Sequence, residues 1–230
     1  MIQGLVFDKD GTLFHFGESW DKWAGGVIEN LAKGDAQRKK SICEAVNFDT
    51  ERQTLLPSSP IIAATLAEVA ALILPFVDGF THEELATFLD ESAADAPMSP
   101  AVPLAPLLQE FKARSLVLGV ATNDAEASAR NHLSTAQVLE QFDFVVGYDS
   151  GHGGKPAPGM LLAFTKAMDL AADQVAMVGD STHDLRAGRA AGMTTIGVLT
   201  GPADRATLTP FADVVLADIG EIPTWLDQQS

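Results

Sequence analysis

The sequence is poor in cysteine, in basic residues and in long apolar runs. Its single cysteine, Cys43, cannot form a disulfide within the chain, which is typical of a protein from a reducing compartment. Only 15 lysine and arginine residues stand against 31 aspartate and glutamate residues, a net charge of -16. This excess of negative charge argues against a broad surface for nucleic acid or for anionic membranes, so we predict neither as a partner.

The longest apolar stretch, residues 61–77, contains Glu68 and Pro75. It is too short and too interrupted to be typical of a membrane span, and we interpret it as a buried helix. Met1 leads directly into an apolar strand, without the basic segment and cleavage site of a signal peptide. These features favour a cytoplasmic location. With 230 residues, 47% of them hydrophobic, the chain can bury a substantial core and can divide into two domains.

Three nearly continuous apolar runs predict parallel strands that are buried on both faces. They are residues 2–7, 116–121 and 175–178, and each is closely followed by polar residues. In parallel sheets, ligands bind at the carboxyl ends of the strands. If these strands are neighbours, the polar residues that follow them meet at one edge of the sheet.

Four aspartates are prominent among these polar residues: Asp8, Asp10, Asp180 and Asp184. Two unit charges ~4 Å apart repel by about 4 kcal/mol at an effective dielectric of ~20, so a cluster of carboxylates calls for a cation. Oxygen ligands suit a hard divalent ion, and Mg²⁺ is the natural choice where phosphate is also bound. The aspartates therefore predict a magnesium site.

Lys155 and Thr122 complement this cluster. The lysine supplies a fixed positive charge, and the threonine and the backbone amides at the strand ends can donate hydrogen bonds to phosphoryl oxygens. Each motif alone has an ordinary structural interpretation: Asp10-Gly11-Thr12 as a turn, Thr122-Asn123 as a helix cap, and Lys155 as a solvated loop lysine. Their coincidence at several strand ends favours a phosphoryl-transfer site.

The motifs resemble those of the haloacid-dehalogenase-like phosphohydrolases, in the same order and at compatible spacing. Residues 7–13, Phe-Asp-Lys-Asp-Gly-Thr-Leu, match the DxDGT motif of the family, and residues 155–160 and 179–184 add two independent matches. The nearest resemblance is to the phosphoglycolate-phosphatase-like branch. It implies an α/β fold with a doubly wound parallel sheet, Rossmann-like in its core, and an inserted all-helical cap.

The resemblance also implies catalytic roles. Asp8 is the expected nucleophile, which forms an aspartyl phosphate, and Asp10 is the expected general acid and base. Lys155 steadies the nucleophile and the transferring group. Asp180 completes the magnesium site together with Asp8 and the backbone carbonyl of Asp10.

Further residues are assigned to substrate binding and to support of the site. The residues expected to bind the phosphoryl group, in addition to Lys155, are Gly11, Thr12, Thr122 and Asn123. Asp184 is expected to orient Lys155 or metal-bound water. Lys9, between the two aspartates of the first motif, is expected to point away from the phosphate.

Strand and helix alternate again from about residue 104, as in a doubly wound sheet. We therefore expect residues 1–14 and 103–230 to form the α/β core domain and residues 15–102 to form the helical cap domain. Within the cap, Ser19 is the expected N-cap of the first helix, and a longer helix is expected from Pro60 to Pro75. Thr81-His82-Glu83-Glu84 is an expected capping box.

In family members with such a cap, the cap closes over the active site and contacts the substrate beyond its phosphate. His15, Glu18, Trp20 and Trp23 are therefore candidates for substrate contacts, although core packing is the better interpretation of the tryptophans. Many members carry an acidic-serine pair after the first motif, where this chain has Phe-His-Phe-Gly-Glu at residues 14–18.

The leading hypothesis is a magnesium-dependent phosphatase for a small phosphorylated metabolite, either phosphoglycolate-like or a sugar phosphate. A phosphomutase, in which Asp8 passes its phosphoryl group to another sugar hydroxyl, is an alternative. A dehalogenase is disfavoured because that branch does not need the second aspartate, Asp10. A third hypothesis is a non-catalytic protein that binds a phosphorylated ligand. Both a monomer and a homodimer are compatible with the sequence.

Overall fold

The computed structural model describes residues 1–62, 64–96 and 98–229, except for the side chains of Glu18 and Ser19. The chain divides into two compact units. The larger unit contains Met1–Phe16 together with Met98–Ser230, and the smaller unit is Gly17–Pro97. The sequence places these boundaries after residues 14 and 102, whereas the structure divides the chain after residues 16 and 97.

The strands form one large sheet and one short hairpin. In chain order, the strands of the described residues are β1 (Gly4–Phe7), β2 (Phe48–Asp49), β3 (Thr54–Leu55), β4 (Val117–Ala121), β5 (Phe144–Val146), β6 (Val175–Gly179), β7 (Thr194–Val198) and β8 (Val214–Leu216). The large sheet has the order β5-β4-β1-β6-β7-β8 and is parallel throughout. The predicted doubly wound α/β fold is therefore confirmed. Within the described residues, the smaller unit departs from the predicted all-helical insertion in the short hairpin of β2 and β3.

The helices follow the same division between the units. In chain order, those of the described residues are α1 (Gly17–Ala32), α2 (Ala36–Val46), α3 (Leu66–Ile73), α4 (His82–Ala94), α5 (Leu104–Ala113), α6 (Glu126–Thr135), α7 (Gly159–Met168), α8 (Thr182–Ala191), α9 (Arg205–Leu208) and α10 (Ile222–Asp227). The first four belong to the smaller unit, and the others alternate with the strands of the larger unit. No helix within the described ranges is both long and apolar enough to cross a lipid bilayer.

Both faces of the central strand β1 are covered. Leu5 and Phe7 pack into a core that includes Phe111 of α5, and the Phe7 and Phe111 rings stack with centroids 6.0 Å apart. Val6 points to the opposite core, which includes Phe164 of α7. The near-continuous apolar character of the strand is explained by this double burial.

The register of β1 brings three strand ends to one edge of the sheet. Phe7 pairs with Val120 of β4 on one side and with Val178 of β6 on the other. The Asp8 amide then donates to the Val178 carbonyl at 2.8 Å. The residues that follow β1, β4 and β6 therefore leave the sheet at the same level, as the sequence predicts.

The two segments that border the insertion run side by side within the larger unit. The Ala101 amide donates to the Leu13 carbonyl at 2.9 Å, and the His15 amide donates to the Ser99 carbonyl at 2.8 Å. An antiparallel bridge lies between these two bonds. The chain consequently leaves the larger unit and returns to it at adjacent points.

The helix expected from Pro60 begins later than predicted. Pro60–Ile62 forms a short 3-10 turn, and α3 begins only at Leu66. Thr65 and Glu68 form a reciprocal capping box at this start, so two of the amide donors of the first turn are satisfied there. The prediction relied on the proline and was wrong because this capping box determines the start.

The other two expectations for the smaller unit have different outcomes. The predicted capping box of Thr81 with Glu84 is confirmed at the start of α4. Ser19 was expected to be an N-cap, but α1 already begins at Gly17, so Ser19 lies within the helix. Its side chain is outside the described residues.

Candidate active site

Asp8 and Lys155 form the centre of the candidate site. Asp8 directly follows β1, and its Oδ1 accepts a hydrogen bond from Lys155 Nζ at 2.6 Å. The same ammonium group lies 2.6 Å from Asp184 Oδ1 as a close ion pair. Burial by itself would lower the pKa of Lys155, but Asp184 and Asp8 outweigh it and raise that pKa above its ordinary value. Lys155 is therefore a fixed cation in contact with two carboxylates.

Asp8, Asp180 and Asp184 make a compact set of oxygen ligands. All three are buried, and one carboxylate oxygen from each lies within 4.8 Å of the others. Burial raises the pKa of Asp8 to about 7, with Lys155 opposing the shift and Asp184 and Asp10 adding to it. Burial and the charges of Asp184 and Asp8 likewise raise the pKa of Asp180 well above its ordinary value. If all three carboxyl groups were ionised, the cluster would carry more negative charge than Lys155 alone balances, and its donor atoms fit a hard divalent cation.

Asp184 differs from the other two carboxylates because both of its oxygens are engaged by the protein. Oδ1 faces Lys155, and Oδ2 accepts from the backbone amide and hydroxyl of Ser181 at 3.0 and 2.6 Å. Ser181 and Asp184 form the capping box that begins α8. This arrangement leaves Asp8 and Asp180 better placed than Asp184 to coordinate a metal directly.

Asp180 is enclosed by the first motif and by the loop after β7. Thr12 Oγ1 donates to Asp180 Oδ1 at 3.4 Å, and a Cβ atom at Gly11 or at Gly201 would overlap the Asp180 carboxylate. Gly11 also has φ +82, which glycine adopts without strain. Thr200 Oγ1 donates to the Gly11 carbonyl at 2.6 Å and joins the two segments.

Thr200 and Gly201 were missed by the sequence analysis. Their only signal is their position directly after an apolar strand, residues 194–199, as with the other motifs.

Asn123 fixes the backbone of Lys155. Its Nδ2 donates to the Lys155 carbonyl at 3.0 Å, and its Oδ1 accepts from the Lys155 amide at 2.7 Å. Both polar atoms of the amide are therefore used to hold the loop that carries the lysine. Thr122, which precedes Asn123, is buried, and its Oγ1 accepts from the Asp124 amide at 3.1 Å.

Lys9 is the least expected feature of the first motif. Its side chain is completely buried, and its ammonium group contacts Asp10, Asp124 and His132. Burial by itself would lower the pKa of Lys9, but the negative charges of Asp10 and Asp124 outweigh this effect and raise that pKa above its ordinary value. Two of its partners, Asp124 and His132, lie more than 100 positions away in the chain, and sequence spacing alone does not reveal them.

The surroundings of the remaining candidates differ. His15 is exposed in the larger unit. Trp20 and Trp23 are buried in α1 with their rings in an edge-to-face contact at 5.2 Å, and Trp23 Nε1 donates to Ser92 Oγ at 3.0 Å. These contacts are those of core packing. The side chain of Glu18 is outside the described residues.

The family model of the haloacid dehalogenase-like hydrolases matches residues 2–192. A phosphoglycolate phosphatase from Rhodospirillum rubrum is 30% identical over 235 residues, covering 98% of this chain and 91% of that protein. One from Escherichia coli is 33% identical over 221 residues, covering 87% and 82%. The crystal structure of a haloacid dehalogenase-like hydrolase from Bacteroides fragilis superposes with a TM-score of 0.74 at 18% identity, covering 96% of this chain and 100% of that one.

The chain belongs to the haloacid dehalogenase-like hydrolases. The predicted resemblance to their phosphoglycolate-phosphatase-like branch is confirmed, and so is the prediction of a phosphoric monoester hydrolase.

Proposed function

We propose that the protein is a magnesium-dependent phosphatase that hydrolyses a small phosphomonoester through an aspartyl phosphate on Asp8. One observation carries this proposal: the buried contact of Asp8 with Lys155, beside Asp180 and Asp184. A nucleophilic carboxylate, a fixed cation and an all-oxygen metal site are the three components that this chemistry needs. They meet at the carboxyl ends of the central strands.

We propose 2-phosphoglycolate, or a phosphomonoester of similar size, as the substrate. The support is the similarity of nearly the whole chain to two proteins named phosphoglycolate phosphatase, at 30% and 33% identity. Residues 14–18 differ from the acidic-serine pair of many family members, so a sugar phosphate is the second substrate class to test.

In the first step, a carboxylate oxygen of Asp8 attacks the phosphorus atom. The bond from phosphorus to the ester oxygen breaks, and Asp10 gives a proton to the departing alkoxide. In the second step, Asp10 takes a proton from water as that water attacks the phosphorus of the aspartyl phosphate. The bond between Asp8 and phosphorus then breaks, which releases inorganic phosphate and restores both carboxyl groups.

Asp8, Asp180 and the backbone carbonyl of Asp10 would hold the magnesium ion. When bound, the ion neutralises the carboxylates and the phosphoryl oxygens, and it favours the ionised form of Asp8 that attack requires. Lys155 keeps Asp8 oriented and can donate to a phosphoryl oxygen, while Asn123 keeps the lysine in place. Thr122 and the backbone of Gly11 and Thr12 complete the proposed phosphate site.

The test is inorganic phosphate release from a panel of phosphomonoesters that includes 2-phosphoglycolate and hexose phosphates, with magnesium or with EDTA. Asp8→Asn is expected to abolish turnover, whereas Asp173→Asn, the same change at an exposed residue before β6, is expected to leave it intact. Turnover that survives Asp8→Asn would refute the mechanism. Isomerised sugar phosphate without released phosphate would indicate the mutase, and tight binding without turnover would indicate a binding protein.

A further inference from the structure

Lys9 belongs to a buried charge cluster that the proposed function leaves without a role. Its Nζ lies 3.0 Å from Asp10 Oδ1 and 2.9 Å from Asp10 Oδ2, so it contacts both oxygens of one carboxylate. The same nitrogen lies 3.0 Å from Asp124 Oδ2 and 2.9 Å from His132 Nδ1. An ammonium group has three donors, and these three side chains each offer an acceptor within reach.

Two of the partners of Lys9, Asp124 and His132, belong to α6 and to the residues just before it. Asp124, Ser128 and His132 are spaced four residues apart and are all buried. Ser128 Oγ donates to Asp124 Oδ2 at 2.7 Å, and the Ala125 amide donates to Asp124 Oδ1 at 2.8 Å. Since an ammonium group only donates, His132 accepts through Nδ1 and carries its proton on Nε2. The position of the Lys9 ammonium group is therefore determined by side chains in and just before α6.

A buried ion pair is weak evidence for a role in stability. Removing a lysine and an aspartate from water costs several kcal/mol per ion, and well-packed apolar residues often replace such pairs without loss of stability. The cluster does provide a defined position for Asp10. The Asp10 side chain is 14% exposed, compared with 4% for Asp124, so Asp10 is the carboxylate of the pair that reaches toward solvent.

We propose that Lys9 is a positioning residue, which holds the Asp10 carboxylate in the orientation that proton exchange with the substrate requires, while Asp124 and His132 anchor its ammonium group. This inference rests on the proposed role of Asp10 as general acid and base. Contact with both oxygens restricts rotation of the carboxylate. A general acid acts only within hydrogen-bond reach of the leaving oxygen, so its orientation affects the rate of the chemical step.

The test compares two leaving groups in Lys9→Met. An alkyl phosphate releases a basic alkoxide that needs a proton from Asp10, whereas p-nitrophenyl phosphate releases a stable phenolate that does not. For the best alkyl substrate we expect kcat/KM to fall roughly 100-fold, within the range that general acid catalysis contributes. For p-nitrophenyl phosphate we expect little change in kcat/KM, which covers the steps through release of the leaving group, whereas the later attack of water affects only kcat. An equal loss with both substrates, or no loss, would overturn the inference.

A charge-balanced variant separates positioning from folding. Lys9→Met leaves Asp124 buried without its cation, so we also use Lys9→Met combined with Asp124→Asn, which removes both charges. We expect this double variant to melt close to the wild type and to keep the loss that is specific to alkyl substrates. Recovery of wild-type kcat/KM would assign Lys9 a purely structural role.

Two controls distinguish the failure of this inference from the failure of the proposed function. Asp10→Asn should show the same dependence on the leaving group. Adding Lys9→Met to it should lower kcat/KM little further, because both changes remove the same function. A wild-type protein without magnesium-dependent phosphate release would overturn the proposed function and, with it, this inference. A wild-type protein that is active, with Lys9→Met equally impaired on both substrates, would overturn the inference alone.

Discussion

The backbone of Gly201 lies directly against the carboxylate of Asp180, so that a Cβ atom at position 201 would overlap Asp180 Oδ2. The contact joins the loop after β7 to the end of β6 at the proposed metal site. Asp180 can keep its position only while residue 201 has no side chain.

Gly201→Ala is therefore expected to weaken magnesium binding. The added methyl group must displace the Asp180 carboxylate, and disturbing the groups around a metal ligand typically costs roughly 10- to 100-fold in affinity. The measurement is the magnesium concentration that gives half-maximal phosphate release. Gly26→Ala is the matched control, because nothing lies within 4 Å of a Cβ at that position. An unchanged magnesium requirement in Gly201→Ala would contradict the prediction.

Gly26→Ala is also expected to stabilise the smaller unit. Gly26 is an exposed residue inside α1, and alanine is favoured over glycine there by up to about 1 kcal/mol. The gain should appear as a higher denaturant midpoint with unchanged catalytic constants. A lower midpoint would show that the backbone at this position needs glycine.

Asn123→Ala is expected to lower kcat with little effect on KM. The change removes the two hydrogen bonds that hold the Lys155 backbone, each worth about 0.5–1.5 kcal/mol, so a decrease of roughly tenfold is expected. Asn30→Ala, at an exposed position of α1, is the control. A rise in KM with unchanged kcat would instead place Asn123 on the substrate, as the sequence analysis predicts.

Stability without metal is expected to depend on pH through Asp8. Burial raises the pKa of Asp8 from 3.8 to about 7 in the folded protein. A carboxyl group whose pKa is higher in the folded than in the unfolded protein stabilises the fold when the group is protonated. Its contribution is complete below 3.8 and is lost as the pH rises to about 7.

The measurement is the free energy of unfolding of the wild type and of Asp8→Asn in EDTA over this pH range. The wild-type value minus the variant value should fall as the pH rises and then level off. Magnesium should raise wild-type stability most at the upper end of the range, where Asp8 must otherwise ionise unaided. A difference that stays constant from pH 4 to pH 8 would be inconsistent with the shifted pKa.

The parts of the site that could be predicted are those with a local signal. Asp8, Thr122 and Asp180 each end an apolar run, and the order of the strands brings those ends together. Gly201 could not be predicted, because its role depends on how closely a later loop approaches Asp180. Lys9 could not be predicted either, since its burial is compensated by side chains of a helix distant in sequence.

The inserted segment leaves the larger unit and returns to it at adjacent points, and this has a consequence for how the protein can evolve. The ladder between Leu13 and Ala101 joins the borders of residues 17–97 independently of what lies between them. The residues assigned to phosphate chemistry all come from the other unit. The insertion is thus a module that recombination can exchange or reshape while the residues assigned to phosphate chemistry are inherited unchanged.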